Sequence, residues 1–175
     1  MKHFQKLPFS TLYGYLFILA PFAFAFISLP AGAHHPFEGV QDLSFPQGLM
    51  SGFAHPVLGI DHFLFLLSIG LIGRLSFAKW IPSLLFCGLV GAVISQAVPV
   101  IDGLEFFMGL SLVASAFVSL GRLTPLIMFP LILCHGYLLG QVMIGVEPTP
   151  LSAYFLGMII SEAFLILLGL NICRR

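Results

Sequence analysis

The chain has 175 residues, 59% of them hydrophobic and only 8% charged, with zero formal net charge and a mean hydropathy of +1.07. Soluble domains carry about 25% charged residues, so this composition cannot cover a water-exposed surface and points to an integral membrane protein. The lack of basic excess excludes a nucleic-acid footprint. Cys87, Cys134 and Cys173 are too far apart for a CxxC knuckle or a disulfide framework, and read as small buried hydrophobes.

Six apolar stretches approach or exceed the roughly 20 residues a membrane-spanning helix needs: residues 7–29, 48–73, 80–98, 103–120, 124–145 and 151–172. In the first, Lys2 and Lys6 precede an apolar run that ends in "PAGAHH". Ala31, Gly32 and Ala33 make the small-x-small pattern of a signal-peptidase site. Residues 1–33 therefore read as a signal peptide cleaved before His34, or as an anchor helix if uncleaved. Residues 34–175 read as one transmembrane domain, because the turns "GRLSFAKW", "AVPVIDG", "LGRLTP" and "GVEPTP" are too short to separate two. The expected fold is all-α, a polytopic bundle of five mature transmembrane helices, six if the signal is retained.

Positive charges stay on the cytoplasmic side of a membrane. With Lys2 and Lys6 inside and the helices threaded alternately, Arg74, Lys79, Arg122, Arg174 and Arg175 also fall inside, so all seven basic residues share one face. Glu38, Asp42, Asp102 and Glu147 fall in the outer turns. The expected location is the cytoplasmic (inner) membrane, with the mature N-terminus outside and the C-terminus cytoplasmic.

Inside the expected spans stand His55, Asp61, His62, Glu105, His135 and Glu162. A charge in hydrocarbon costs on the order of 2.5–3.5 kcal/mol even on lenient scales, so such groups are kept with partners. No Lys or Arg shares their depth, which leaves a cation as the missing partner. In "SGFAHPVLGIDHFLFLLSIGLIG", residues 51–73, His55, Gly59 and His62 line one helical face. Pro56 cannot donate to the Gly52 carbonyl and kinks the helix. Two turns, about 10.5 Å, separate His55 from His62 on an ideal helix. Either the kink closes that gap or the imidazoles are successive stations on a path. Asp61 points about 100° from His62, toward a neighbouring helix or the side of an ion.

Imidazole with carboxylate suits nickel, cobalt or zinc and suits magnesium or calcium poorly. Taken singly, His135 also reads as a hydrogen bonder between helices, Glu105 as an interfacial carboxylate, and Glu162 as an acid bonded to Ser161 or His135. Outside the membrane, His34 and His35 read either as solvated residues or, if cleavage exposes them as a new amino terminus, as a metal-capturing end with Glu38.

The stretch "GFAHPVLGIDHFLFLLSIGL" resembles the signature of the HupE/UreJ family, hydrogenase and urease accessory membrane proteins regarded as nickel permeases. "GLEFFMGLS" is similar to the family's Gly-Val-Glu stretch and places Glu105 on its glutamate. "FPLILCHGYLLG" is similar to its Phe-His-Gly helix, placing His135 and Gly136, and "YFLGMIISEAFLILLGL" resembles the helix that follows. The family also has a His-Pro near the mature terminus, as in "AHHPFEG". The chain departs from the pattern at Leu139 and Val142, where a second His and a Glu are usual, and at Ile166, where a His is usual. Glu162 lies one turn before Ile166 and is the expected stand-in for that histidine. The family's usual last helix has no counterpart before Arg175.

The resemblance implies a permease, not an enzyme, importing a divalent transition metal for supply to an intracellular nickel enzyme. Nickel is the implied cargo, with cobalt or zinc as alternatives, and no cofactor is held permanently. Its partners are then the metal ion, the bilayer and, indirectly, the machinery that matures the nickel enzyme, with homo-oligomers compatible. Nothing resembles a nucleotide-binding loop, so flux would run on gradients or on metal consumption. Two other readings stand beside it. One is a membrane-embedded hydrolase whose His and Asp residues hold a water-activating zinc, although no HExxH-type arrangement is present. The other is a metal sensor or assembly protein without flux.

Overall fold

Small polar residues, prolines and glycines punctuate the apolar runs and set where each helix starts and stops. The computed structural model describes residues 43–73, 78–98, 101, 103–104 and 106–172, and among these every regular element is helical. The signal or anchor segment, with His34, His35 and Glu38, lies outside the described residues, as does Glu105. Helix α1 (Phe45–Leu58) begins after Ser44, whose backbone N–H donates to the side-chain oxygen of Gln47 at 2.8 Å, a capping-box contact. Helix α2 (Ile60–Gly73) follows after a single residue. A 3-10 turn (Ala78–Trp80) leads into α3 (Ile81–Ile94), with Pro82 in the first turn where its missing donor costs nothing.

Helix α4 (Phe106–Ser119) ends in a Schellman arrangement. The Gly121 N–H donates to the Val118 carbonyl at 3.0 Å, and the Arg122 N–H to the Phe117 carbonyl at 2.9 Å. Gly121 takes φ +68°, where a side chain would be strained. A second 3-10 turn (Pro125–Ile127) precedes α5 (Met128–Gln141), and α6 (Pro148–Ile172) is the longest helix, with 25 residues.

The stretch 48–73 is not the single helix its hydropathy suggests. It lies within a pair of helices, α1 and α2, bent by 77° at the break between them. Pro56 stays inside α1, and the break falls three residues later at Gly59, whose ψ of 102° is extended. Both halves keep their ends bonded: the Gly59 N–H donates to the His55 carbonyl at 2.9 Å, and the Phe63 N–H to the Gly59 carbonyl at 2.8 Å. Among the described residues α6 alone is long and apolar enough to cross a bilayer as one helix, and the bent pair qualifies either as a broken span or as a re-entrant loop. Helices α3, α4 and α5 have 14 residues each. That is about 21 Å at 1.5 Å per residue, short of a hydrocarbon core about 30 Å thick.

Glycines bring the helices into backbone contact. Gly48 lies against Pro150 and Gly52 against Tyr154, so α1 and α6 run parallel. Gly88 meets Gly136 and Ala92 meets Gly140, so α3 and α5 run parallel too. Helix α2 packs on both α6 and α4. Between these elements lies a core that includes Phe65, Ile69, Leu84, Met128, Ile132 and Ile166, all fully buried. Cys87 and Cys134 are half-buried instead of buried, and the Cys87 thiol donates to the Phe129 carbonyl at 3.4 Å.

A Cβ at Gly136 would run into the backbone of Gly88, which cannot retreat without parting α3 from α5. Gly136→Ala should therefore cost about 1–3 kcal/mol, the scale of an overpacked core. Gly109→Ala, where a Cβ meets nothing within 4 Å, should leave stability unchanged or slightly raised. Thermal denaturation of the detergent-solubilised protein checks the contrast, and equal melting temperatures for the two variants would contradict this packing.

Candidate metal centre

His55 closes α1 and His62 opens α2, so the break between them sets their separation. Their ring centroids are 5.6 Å apart, edge to face, where an unbroken helix would hold the residues about 10.5 Å apart along its axis. Gly59 makes room for the fold-back: a Cβ there would sit 2.7 Å from His62 Cδ2 and 3.3 Å from the His55 carbonyl. His135, from the middle of α5, extends the row. Its Nδ1 lies 3.3 Å from His62 Nδ1, with ring centroids 5.4 Å apart. Phe65, one turn after His62, stacks on the His135 ring at 3.8 Å and fixes its plane. All three imidazoles are buried, with exposures of 3% for His55, 5% for His62 and 1% for His135.

Two hydroxyls hold the ends of this row. Ser111 of α4 has its Oγ 2.7 Å from His135 Nε2 and donates to the Met108 carbonyl at 2.6 Å. Tyr154 of α6 has its hydroxyl 3.1 Å from His55 Nδ1 and donates to the Leu139 carbonyl at 2.6 Å. Asp61 meets the row at the backbone of His62. Its Oδ1 accepts the backbone N–H of His62 at 2.9 Å, which satisfies a donor in the first turn of α2 and puts negative charge at that helix's positive end. Glu162 is fully buried and faces Gly88: a Cβ on Gly88 would lie 3.6 Å and 3.7 Å from its two oxygens. Neither oxygen has a hydrogen-bond partner among the described residues, so the expected bond to Ser161 or His135 is not made.

Two nitrogens bound to one ion at about 2.0–2.1 Å stand roughly 3–3.5 Å apart for angles between 90° and tetrahedral. The 3.3 Å between the Nδ1 atoms of His62 and His135 fits that span. Among the described residues no three His, Cys, Asp or Glu side chains converge to enclose one ion. The arrangement is a facing pair of ring nitrogens with a third imidazole beside it, not a closed cage. The carbonyl end of α1 adjoins His55, and its dipole favours a cation there.

Ser111 and Tyr154 belong to no ligand motif in the sequence. The signal was present: a hydroxyl buried in an apolar helix must find a partner. Tyr154 also opens the stretch "YFLGMIISEAFLILLGL", and Ser111 closes "GLEFFMGLS".

A family model described as HupE / UreJ protein matches residues 22–175. The chain belongs to the HupE/UreJ family. This is a family of membrane proteins. No curated protein and no solved structure matches the chain. At Leu139, where the resemblance implies a histidine, the backbone carbonyl anchors Tyr154 and through it His55. Ile166, the other position where the resemblance implies a histidine, is fully buried core.

Because Asp61 caps α2 through one oxygen, Asp61→Asn retains an acceptor and Asp61→Ala does not. In metal-free protein the alanine variant should lose about 1 kcal/mol of stability, the usual net worth of one hydrogen bond, while the asparagine variant stays near wild type. Chemical denaturation in detergent measures both. Equal losses would contradict the capping role.

Proposed function

We propose that this HupE/UreJ chain is a multi-pass permease of the cytoplasmic membrane that imports a divalent transition metal, nickel foremost, for an intracellular nickel enzyme. The observation that carries the reading is the buried pair of Nδ1 atoms 3.3 Å apart, supplied by two different helices. Imidazole donors suit nickel, cobalt and zinc over hard cations, and the family's association with nickel and cobalt accessory or transport roles supports the first two. Flux requires sites that bind well enough to load and weakly enough to release. A clamp of two nitrogens, with His55 next in line, meets that need better than a saturated cage.

Other groups extend the path. His34, His35 and Glu38 gather the ion outside, and Glu105 precedes α4 on the same outer side. Asp61 offers negative charge beside His62. Glu162, a buried acid with no donor among the described residues, offers the next station beyond the clamp.

The parallel pairs α1 with α6 and α3 with α5 support the topology. Alternate threading gives both members of each pair the same direction. Helix breaks at membrane depth are tolerated where they line a site buried in protein, and broken helices commonly hold transported ions. The break at Gly59 has that character.

Uptake of nickel by liposomes containing the purified protein tests the proposal. Wild-type protein should load the vesicles. His62→Ala and His135→Ala, reconstituted at equal density, should lose at least roughly tenfold in uptake at limiting metal, since even supporting residues of metal sites carry that much. Binding without uptake by wild type would favour a sensor or assembly role. Unchanged uptake by both variants would remove the histidine clamp from the path.

A further inference from the structure

We infer that Ser111 and Tyr154 are positioning residues that fix which nitrogen of His135 and of His55 carries the proton, and so which nitrogen can meet a cation. The inference rests on the metal-site reading above and adds two residues to it. It begins from two short contacts, Ser111 Oγ to the Met108 carbonyl at 2.6 Å and the Tyr154 hydroxyl to the Leu139 carbonyl at 2.6 Å. Two oxygens that close must have a proton between them, and a carbonyl has none to give. Each hydroxyl therefore spends its only proton on a backbone oxygen. Toward the imidazole it can only accept.

The tautomers follow. His135 donates from Nε2 to Ser111 Oγ across 2.7 Å, which leaves the lone pair on Nδ1, the atom facing His62. His55 donates from Nδ1 to the Tyr154 oxygen across 3.1 Å, which places its lone pair on Nε2. In the metal-free protein His62 then donates from Nδ1 to His135 Nδ1 across 3.3 Å. No hydroxyl faces His62 among the described residues, so its proton is free to shift to Nε2 when an ion takes its place between the rings. His55 and His135 are set in advance, and His62 adapts.

The supports are rigid. Met108 and Ser111 lie on one turn of α4, so the serine is held by its own helix. Tyr154 is fully buried and ties the end of α5, through Leu139, to the end of α1, through His55. A hydrogen-bond partner on the second ring nitrogen commonly fixes the tautomer of a ligating histidine, and its loss typically costs 10- to 100-fold in metal affinity.

The test uses full-length, metal-free protein in nanodiscs with nitrogen-15 histidine, whose ring shifts separate protonated from unprotonated nitrogens. His135→Gln and His55→Gln assign the signals. Wild type should show His135 protonated on Nε2 and His55 on Nδ1. Ser111→Ala should convert His135 to a tautomer mixture and weaken Ni(II) binding, measured by titration with the metal alone, by about 10- to 100-fold. Ser111→Thr, which keeps the hydroxyl, should restore both spectrum and affinity. Tyr154→Phe should act likewise on His55. Should Ser111→Ala fail to accumulate, Ser111→Cys replaces it, since a thiol is a poor acceptor and should show the same mixture. A wild-type spectrum with His135 protonated on Nδ1, or one unchanged in Ser111→Ala, would overturn the inference. Correct tautomers in a protein that binds no Ni(II) would uphold the proton assignment and overturn only the metal reading it rests on.

Discussion

The 77° bend at Gly59 is the constraint on which the candidate site depends. An unbroken helix would hold His55 and His62 two turns apart, too far for the two rings to meet each other. The bend instead places one imidazole at the end of one helix and the other at the start of the next, 5.6 Å apart. It does so without orphaning backbone groups, because Gly59 both donates to the helix before it and accepts from the helix after it. In an apolar surrounding that matters more than the angle itself, since an unsatisfied amide there costs several kcal/mol.

Glycine is needed at the bend for space rather than for a left-handed conformation. Its φ is −73°, open to any residue, but any side chain would meet the His62 ring. The same economy of volume runs through the fold. Gly52 seats α1 on the Tyr154 backbone, which brings the Tyr154 hydroxyl to His55, and Gly88 seats α3 on Gly136, next to His135. Close backbone approach thus positions the polar groups, and the hydroxyls of Ser111 and Tyr154 then orient them. Packing without glycines would part the helices and lose the 3.3 Å contact between His62 and His135.

Much of this was legible in the sequence, and the failures have physical causes. Hydropathy located the helices, and the cost of polar groups in hydrocarbon marked the three histidines. The single helix expected over 48–73 failed because hydropathy carries no information about direction, and Pro56 drew the expected kink away from Gly59. That error hid the role of Asp61. A first-turn cap exists only if a helix begins there, so within an unbroken helix Asp61 had no amide to serve. Ser111 and Tyr154 stayed hidden for another reason. Serine and tyrosine are ordinary in membrane helices, and only their carbonyl contacts reveal that they act as acceptors. The expected partner of Glu162 failed because its carboxyl turns toward Gly88 of α3 instead of along its own helix to Ser161.

The central claim is that His62 and His135, from separate helices, grip one ion through facing nitrogens. Nickel K-edge absorption of the purified protein, loaded with one equivalent of Ni(II), measures the coordinating imidazoles directly. The account predicts at least two imidazoles on the ion in wild-type protein and one fewer when His135 is replaced by alanine. An imidazole count unchanged by that replacement would contradict it.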